Sequence, residues 1–270
     1  MQKLKIKHSI EVWRRLILER MLVRIYHSKY SDKFIFKGGL LLSHYLDIGR
    51  ETKDIDFLAT LMDVTVPNIE IAFNDICAVN MSDSFIFSFS NMTKLEQPHM
   101  NYPGYRVNLN LKFGKMKDRI HVDVGVGDIV EPNQESLELY QYNGKPIFEG
   151  AVSLRVYPVE TIFTEKLESI ISKGAVNSRM KDYHDLLLLC REKDFLNIHK
   201  LKSNISKTFE HRKTNLTIPL YFSEDDYFSM QKLWVGHRRG LGEIAVKLNI
   251  PEKIKNLVSE INVWLIKNNL

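Results

Sequence analysis

Two short stretches near the start of this chain hold residue types that can do phosphate and metal chemistry. The first is Lys37-Gly38-Gly39-Leu40, the second Arg50-Glu51-Thr52-Lys53-Asp54-Ile55-Asp56. Two glycines at a strand-to-helix turn let the backbone approach a ligand closely. The helix start beyond them offers unpaired amide donors and the positive end of a dipole, a seat for phosphate. Asp54-Ile55-Asp56-Phe57-Leu58 alternates polar and apolar residues, the period of a strand, so Asp54 and Asp56 point to one face. Neighbouring carboxylates repel unless a cation joins them. Oxygen-only ligands suit Mg²⁺, which usually also takes oxygens from substrate phosphates; Mn²⁺ is the alternative ion. Taken singly, a Gly-Gly pair is more often a plain turn, and Asp-x-Asp is common on exposed strands. The weight lies in their order and spacing.

Three further positions extend this set. Ile120-His121-Val122-Asp123-Val124 places Asp123 inside an apolar strand, where a carboxylate must be paired, hydrogen-bonded or metal-bound. Asp123 is therefore a candidate third metal ligand. His121 shares its face and is read as a surface or internally satisfied histidine, and Asp128 as a turn residue. Lys166, in Glu165-Lys166-Leu167, can reach a triphosphate as a point charge on a flexible stem; the competing reading pairs it with Glu165 or Glu168 on a solvated helix face. In Arg179-Met180-Lys181-Asp182-Tyr183-His184-Asp185, Asp182 and Asp185 are neighbours on one helix face. Acids are favoured at a helix start for structural reasons alone, which competes with a catalytic role for Asp182.

The elements that must position these residues follow from the hydrophobic pattern. Ile10 to Tyr26 reads as a helix, Phe34 to Phe36 as a short strand, and Leu40 to Leu46 as a helix stopped by Gly49. Ile69 to Ala78 reads as another helix. Strands are expected at Ser84 to Phe89, Tyr105 to Phe113 and Arg119 to Val126, the last two joined by a turn at Lys115 to Asp118 as an antiparallel hairpin. A further strand is expected at Ser153 to Val156. Pro158 then opens a helix reaching about Ser172, at a position that tolerates proline. Arg179 to Lys193 and most of the remainder read as helical, ending in Pro251 to Lys267. The expected fold class is α+β: residues 1–150 as a sheet domain, then residues 151–270 as a helical domain.

The bulk properties set limits. The chain has 270 residues, 44% hydrophobic and 26% charged, the balance of a folded globular protein and not of a disordered one. No uncharged apolar stretch is long enough to span a bilayer, and the basic N-terminus lacks the apolar core of a signal peptide. A soluble cytoplasmic protein with no membrane partner is expected. Cys77 and Cys190 sit among apolar neighbours, so buried free thiols are expected, with no disulfide and no structural zinc. The net charge is +5, and residues 196–270 hold twelve Lys/Arg against seven Asp/Glu, which accounts for the whole excess. Such a basic quarter suits a polyanion such as RNA, or is simply a solvated basic surface.

The motifs together resemble the AbiEii/AbiGii toxin family of type IV toxin–antitoxin systems, within the DNA polymerase β-like nucleotidyltransferase superfamily. The resemblance is carried by Lys37-Gly38-Gly39, Arg50-x-Thr52-x-Asp54-Ile55-Asp56-Phe57, Val122-Asp123-Val124 with Gly127-Asp128, Glu160-Thr161 with Glu165-Lys166-Leu167, and Arg179-x-Lys181-Asp182-x-x-Asp185-Leu186. These span residues 37–186; Leu196 onward carries no matching motif. Where the wider superfamily has Gly-Ser, this chain has Gly38-Gly39, the form usual in the AbiEii-like branch. Ser43, one turn later, is read as an ordinary helix residue.

The resemblance implies a small mixed sheet flanked by helices, then a mainly helical C-terminal region. It implies that Gly38 and Gly39 cradle phosphates, that Asp54 and Asp56 hold Mg²⁺ with Asp123 as third carboxylate, and that Lys166 contacts a nucleoside triphosphate (NTP). Asp182 and Asp185 would complete the site, one of them as base, with Arg50, Thr52, Arg179 and Lys181 as substrate contacts. The expected activity is Mg²⁺-dependent nucleotidyl transfer to RNA, at the tRNA 3′ end, by a toxin whose cognate antitoxin need not bind it directly. Two other functions fit the residues: nucleotidylation of a protein hydroxyl, and non-catalytic nucleotide or RNA binding.

Overall fold

From Ile17 to Ile25 every side chain of the first helix, α1 (Gln2–His27), is buried. Such a helix must be covered on all sides, and the strands and helices that follow it in the chain do this. The computed structural model describes residues 2–95 and 104–270, with side chains from residue 9 onward. Two compact units result: Met1–Leu46 with Glu51–Tyr157, and Asp47–Arg50 with Pro158–Leu270.

The first unit is built on a seven-stranded mixed sheet. Its strands are β1 (Phe34–Lys37), β2 (Ile55–Ala59), β3 (Phe85–Leu95), β4 (Gly104–Phe113), β5 (Met116–Val126), β6 (Asn133–Glu138) and β9 (Ala151–Val156). A two-stranded hairpin, β7 (Gln141–Tyr142) with β8 (Lys145–Pro146), stands apart. The sheet order is β3-β4-β5-β2-β1-β9-β6. β1 runs antiparallel to β2 and parallel to β9, and β2 runs parallel to β5. Helices α2 (Gly38–Tyr45) and α3 (Val66–Ala78) complete the unit; Thr65 caps α3 by accepting from the Asn68 amide, and Pro67 lies in its first turn. On β4 and β5 the residues Val107, Leu109, Leu111, Ile120, Val122 and Val124 are buried, while the alternating residues between them are not. The strand period thus divides the sheet into an apolar face and a polar one.

Inside this core sits an ion network. Asp83 accepts from Arg20 Nε at 2.6 Å and from both terminal nitrogens of Arg24 at 2.7 and 2.9 Å, and Arg20 also pairs with Glu149. Burial alone would raise the Asp83 carboxyl, but Arg24 and Arg20 reverse this and lower it. The network ties α1 to the loop before β3 and to the segment before β9.

The second unit is helical: α4 (Val159–Lys173), a 3-10 turn at Gly174–Val176, α5 (Met180–Arg191), α6 (Ile198–His211), α7 (Glu224–Leu241), α8 (Ile244–Lys247) and α9 (Ile254–Lys267). Phe163, Leu167, Tyr183, Leu187, Trp234 and Leu265 are among its fully buried side chains. Asn197 caps α6, and Ser223 with Asp226 forms a capping box on α7. The chain is α+β, with a mixed sheet flanked by helices followed by helices. Cys77 and Cys190 are free thiols, and burial pushes Cys77 up to about 12. Among the described residues no helix is long and apolar enough to cross a membrane.

The polar hairpin strand β6 and the β7–β8 pair are absent from the expected elements. The β4–β5 turn is also tighter than expected: Phe113 pairs with Met116, leaving only Gly114 and Lys115 in the loop.

Candidate active site

In the first unit, the β1–α2 junction stands beside β2. Lys37 on β1 is the register partner of Asp56 on β2. Gly38 follows with φ +79, and a β-carbon there would lie 2.0 Å from Asp56 Oδ2. Glycine is required twice over, by conformation and by space. Lys37, at the N-cap of α2, makes no side-chain capping bond. Its Nζ turns instead to Asp128 at 3.3 Å and to the Tyr157 hydroxyl at 3.1 Å. Asp128 is thus more than a turn residue, since it is the acceptor for a lysine beside the glycine turn.

Parallel pairing of β2 and β5 makes Asp56 and Asp123 register partners. Adjacent strands lie about 5 Å apart, so two carboxylates face each other across them. Arg106 on β4 answers that repulsion. It is the register partner of Asp123 on the other side and holds it with two hydrogen bonds, 2.8 and 2.7 Å. The guanidinium is raised above its ordinary value, first by its bonds to Asp123 and also by the charges of Asp54 and Asp56. Arg106 is the site residue that sequence reasoning missed. Asp54 accepts from His121 Nε2 at 2.6 Å, so His121 has its partner within the carboxylate group. Thr52 Oγ1 is buried and has no hydrogen-bond partner among the described residues.

Among the described residues, no three His, Cys, Asp or Glu side chains are gathered closely enough to hold a metal ion. The donor set still suits Mg²⁺. Asp54 and Asp56 are hard oxygen donors on one face, and Mg²⁺ is commonly held by one or two carboxylates plus substrate phosphates. The orphaned Thr52 hydroxyl and the glycine cradle against Asp56 leave polar groups to be satisfied by such a ligand. Asp123 is engaged by Arg106, so a metal would compete with a guanidinium for it.

The second unit holds its own cluster on α4, α5 and the Asp47–Arg50 segment. Lys166 Nζ lies 2.6 Å from Asp185 and 3.6 Å from Asp182. Arg50 grips Asp185 from another side with bonds of 2.9 and 2.6 Å. Asp185 is fully buried. Burial alone would raise its carboxyl, but Lys166 and Arg50 overcome this and hold it well below the usual carboxylate range. Arg179, half exposed, reaches Asp182 at 3.2 Å, and Lys181 is half-buried. Lys166 is therefore not on a solvated face, and Glu165 and Glu168 pair with Arg212 instead.

The model of the family described as "Nucleotidyl transferase AbiEii toxin, Type IV TA system" matches residues 20–249. Among solved structures, JHP933 from Helicobacter pylori is 14% identical, with 96% of this chain and 91% of that chain covered and a TM-score of 0.48. MenT4, a nucleotidyltransferase toxin from Mycobacterium tuberculosis, is 17% identical, with 80% and 73% covered and a TM-score of 0.51. At that identity the likeness to MenT4 speaks for the fold alone. No curated protein matches the chain. The family match covers most of the sequence, including every motif described above: the chain belongs to the AbiEii toxin family of type IV toxin–antitoxin systems and is a nucleotidyltransferase.

Proposed function

We propose that this enzyme transfers a nucleotide from an NTP to an RNA 3′-hydroxyl, with the tRNA 3′ end as acceptor, in a Mg²⁺-dependent reaction. The observation that carries the reading is the glycine turn packed against Asp56, with Asp54 and Asp123 on the same sheet face. The hydroxyl oxygen forms a bond to the α-phosphorus, the bond from that phosphorus to the bridging oxygen breaks, and pyrophosphate leaves. When bound, Mg²⁺ would neutralise phosphate charge and ease ionisation of the hydroxyl.

The chain's own residues divide the remaining work. Backbone amides at Gly38 and Gly39, together with the Thr52 hydroxyl, orient phosphate oxygens. Asp54 and Asp56 would hold the metal, with Asp123, which Arg106 engages, as the third carboxylate. Lys166 contacts the triphosphate, with Arg50, Arg179 and Lys181 as further substrate contacts. Asp185 holds Lys166 and Arg50 in place. A carboxylate so far below its ordinary range has little affinity for a proton, so Asp185 is poorly suited to act as the base. A cognate antitoxin counters the toxicity without needing to bind the enzyme.

The test combines purified protein, Mg²⁺, total tRNA and each labelled NTP in turn, with Asp56→Ala as control. Label on tRNA that is absent from the control supports the proposal. Label on protein instead would move the acceptor to a protein hydroxyl, and nucleotide binding without any transfer would overturn the catalytic reading.

A further inference from the structure

We infer that the polar face of strands β3–β5 is the track for the RNA strand that leads to the reacting hydroxyl. This inference rests on the RNA reading of the proposed function. The face begins at Asp123 and ends at the β4–β5 turn. Along it, Asn108 pairs with His121, Asn110 with Arg119, and Lys112 with Lys117. From Asp123 to Lys117 is six residues, a track of about 20 Å at strand rise. The bulge in β3 between Phe89 and Asn91 keeps that strand's polar residues in line, and Asn108 donates to Asn91 Oδ1 at 2.7 Å.

The track is graded in charge. Its one end carries the candidate metal carboxylates, with Arg106 bonded to Asp123. Its middle carries the amides of Asn91, Asn108 and Asn110 beside His121, whose ring is engaged by Asp54. Its far end carries Lys112, Lys117 and Arg119, all exposed and without a carboxylate partner among the described residues. An RNA strand that brings its terminal hydroxyl to the carboxylates must place upstream phosphates some 20 Å away, a distance where cations favour them. The amides between suit ribose hydroxyls and base edges. A polynucleotide, with one charge per repeat, fits this grading better than a protein chain whose only requirement is one hydroxyl at the reacting end.

The experiment compares the full chain with Lys112→Ser/Lys117→Ser/Arg119→Ser, using labelled NTP and tRNA. A matched control, Lys200→Ser/Lys202→Ser/Lys253→Ser, removes three charges from the basic C-terminal quarter. The sheet variant should raise KM for tRNA about ten-fold or more, leave kcat at saturation nearly intact, and flatten the salt dependence of tRNA affinity by about 2 in log–log slope. Its melting temperature and NTP affinity should not change. An unchanged KM and slope in the sheet variant, while the wild type labels tRNA, overturns the track. So does a loss confined to the C-terminal control. If the wild type labels protein and never RNA, the function reading has failed on its own lane and the track falls with it.

Discussion

The Asp56 carboxylate stands so close to Gly38 that a β-carbon on the glycine would meet its Oδ2 at 2.0 Å. Gly38→Ala must therefore push Asp56 aside and also hold alanine at φ +79. The left-handed backbone alone costs about 1 kcal/mol. Transfer activity should fall at least about 100-fold, as expected when a reacting group is misplaced by about an ångström. Melting should show only the modest loss. Retention of full activity would mean that Asp56 does not need its present position.

Asp54→Ala and Asp56→Ala should each abolish transfer while leaving the fold intact, since both side chains are only half-buried at the edge of the core. Circular dichroism with the transfer assay separates the two effects. Normal turnover in either variant would remove that residue from the site.

Arg106 is the internal counter-charge of the carboxylates. Arg106→Gln should lower metal-free stability by about 1 kcal/mol, the upper scale for an ion pair screened by solvent. It should also enlarge the melting-temperature gain on adding Mg²⁺, because the three carboxylates then lack their resident cation. An equal gain in wild type and variant would show that Arg106 and the metal do not compete.

Asp185 is a buried anion between two cations. Asp185→Asn should cost about 3–5 kcal/mol by leaving Lys166 and Arg50 buried without a counter-charge. Adding Lys166→Met should then cost less than the sum of the single effects, since the two share one interaction. Strictly additive costs from urea unfolding would contradict the pairing.

Stability should also depend on pH in a defined direction. His184 is buried against His237, with ring nitrogens 3.0 Å apart, and burial lowers it from 6.5 to about 4; His237 and Arg50 add to this, and Asp185 opposes it. The unfolded chain therefore binds the proton more readily between those values. The stabilisation is complete above about pH 6.5 and is lost as pH falls toward 4. Asp185, also lowered, adds its own loss below about pH 4. Flat unfolding free energy from pH 7 to 4.5 would rule out the histidine contribution.

Local periodicity made much of this readable beforehand. Period-two alternation placed Asp54 with Asp56, and His121 with Asp123, because strand geometry allows no other arrangement. Arg106 has no such local signature: a loop at Lys115–Asp118, in place of the observed Gly114–Lys115, shifts the β4–β5 register and takes Arg106 away from Asp123. The Arg50–Asp185 pair joins residues 135 apart and has no local signature. Strand β6 (Asn133–Glu138) is nearly all polar because only Leu137 is buried, so its pattern resembles a loop.

The four residues Asp47–Arg50 belong to the helical unit although the chain around them belongs to the sheet unit. Gly49 packs there against Ile244 and Leu248, and Arg50 neutralises Asp185. The helical half is therefore not a cassette. A fragment beginning at Pro158 would inherit a buried aspartate with one of its two cations missing, and a recombinant toxin that swapped in only residues 158–270 would need a compatible linker from the donor's sheet half as well. Exchange between relatives should respect that stitch in the chain, with crossovers tolerated only where both pieces travel together.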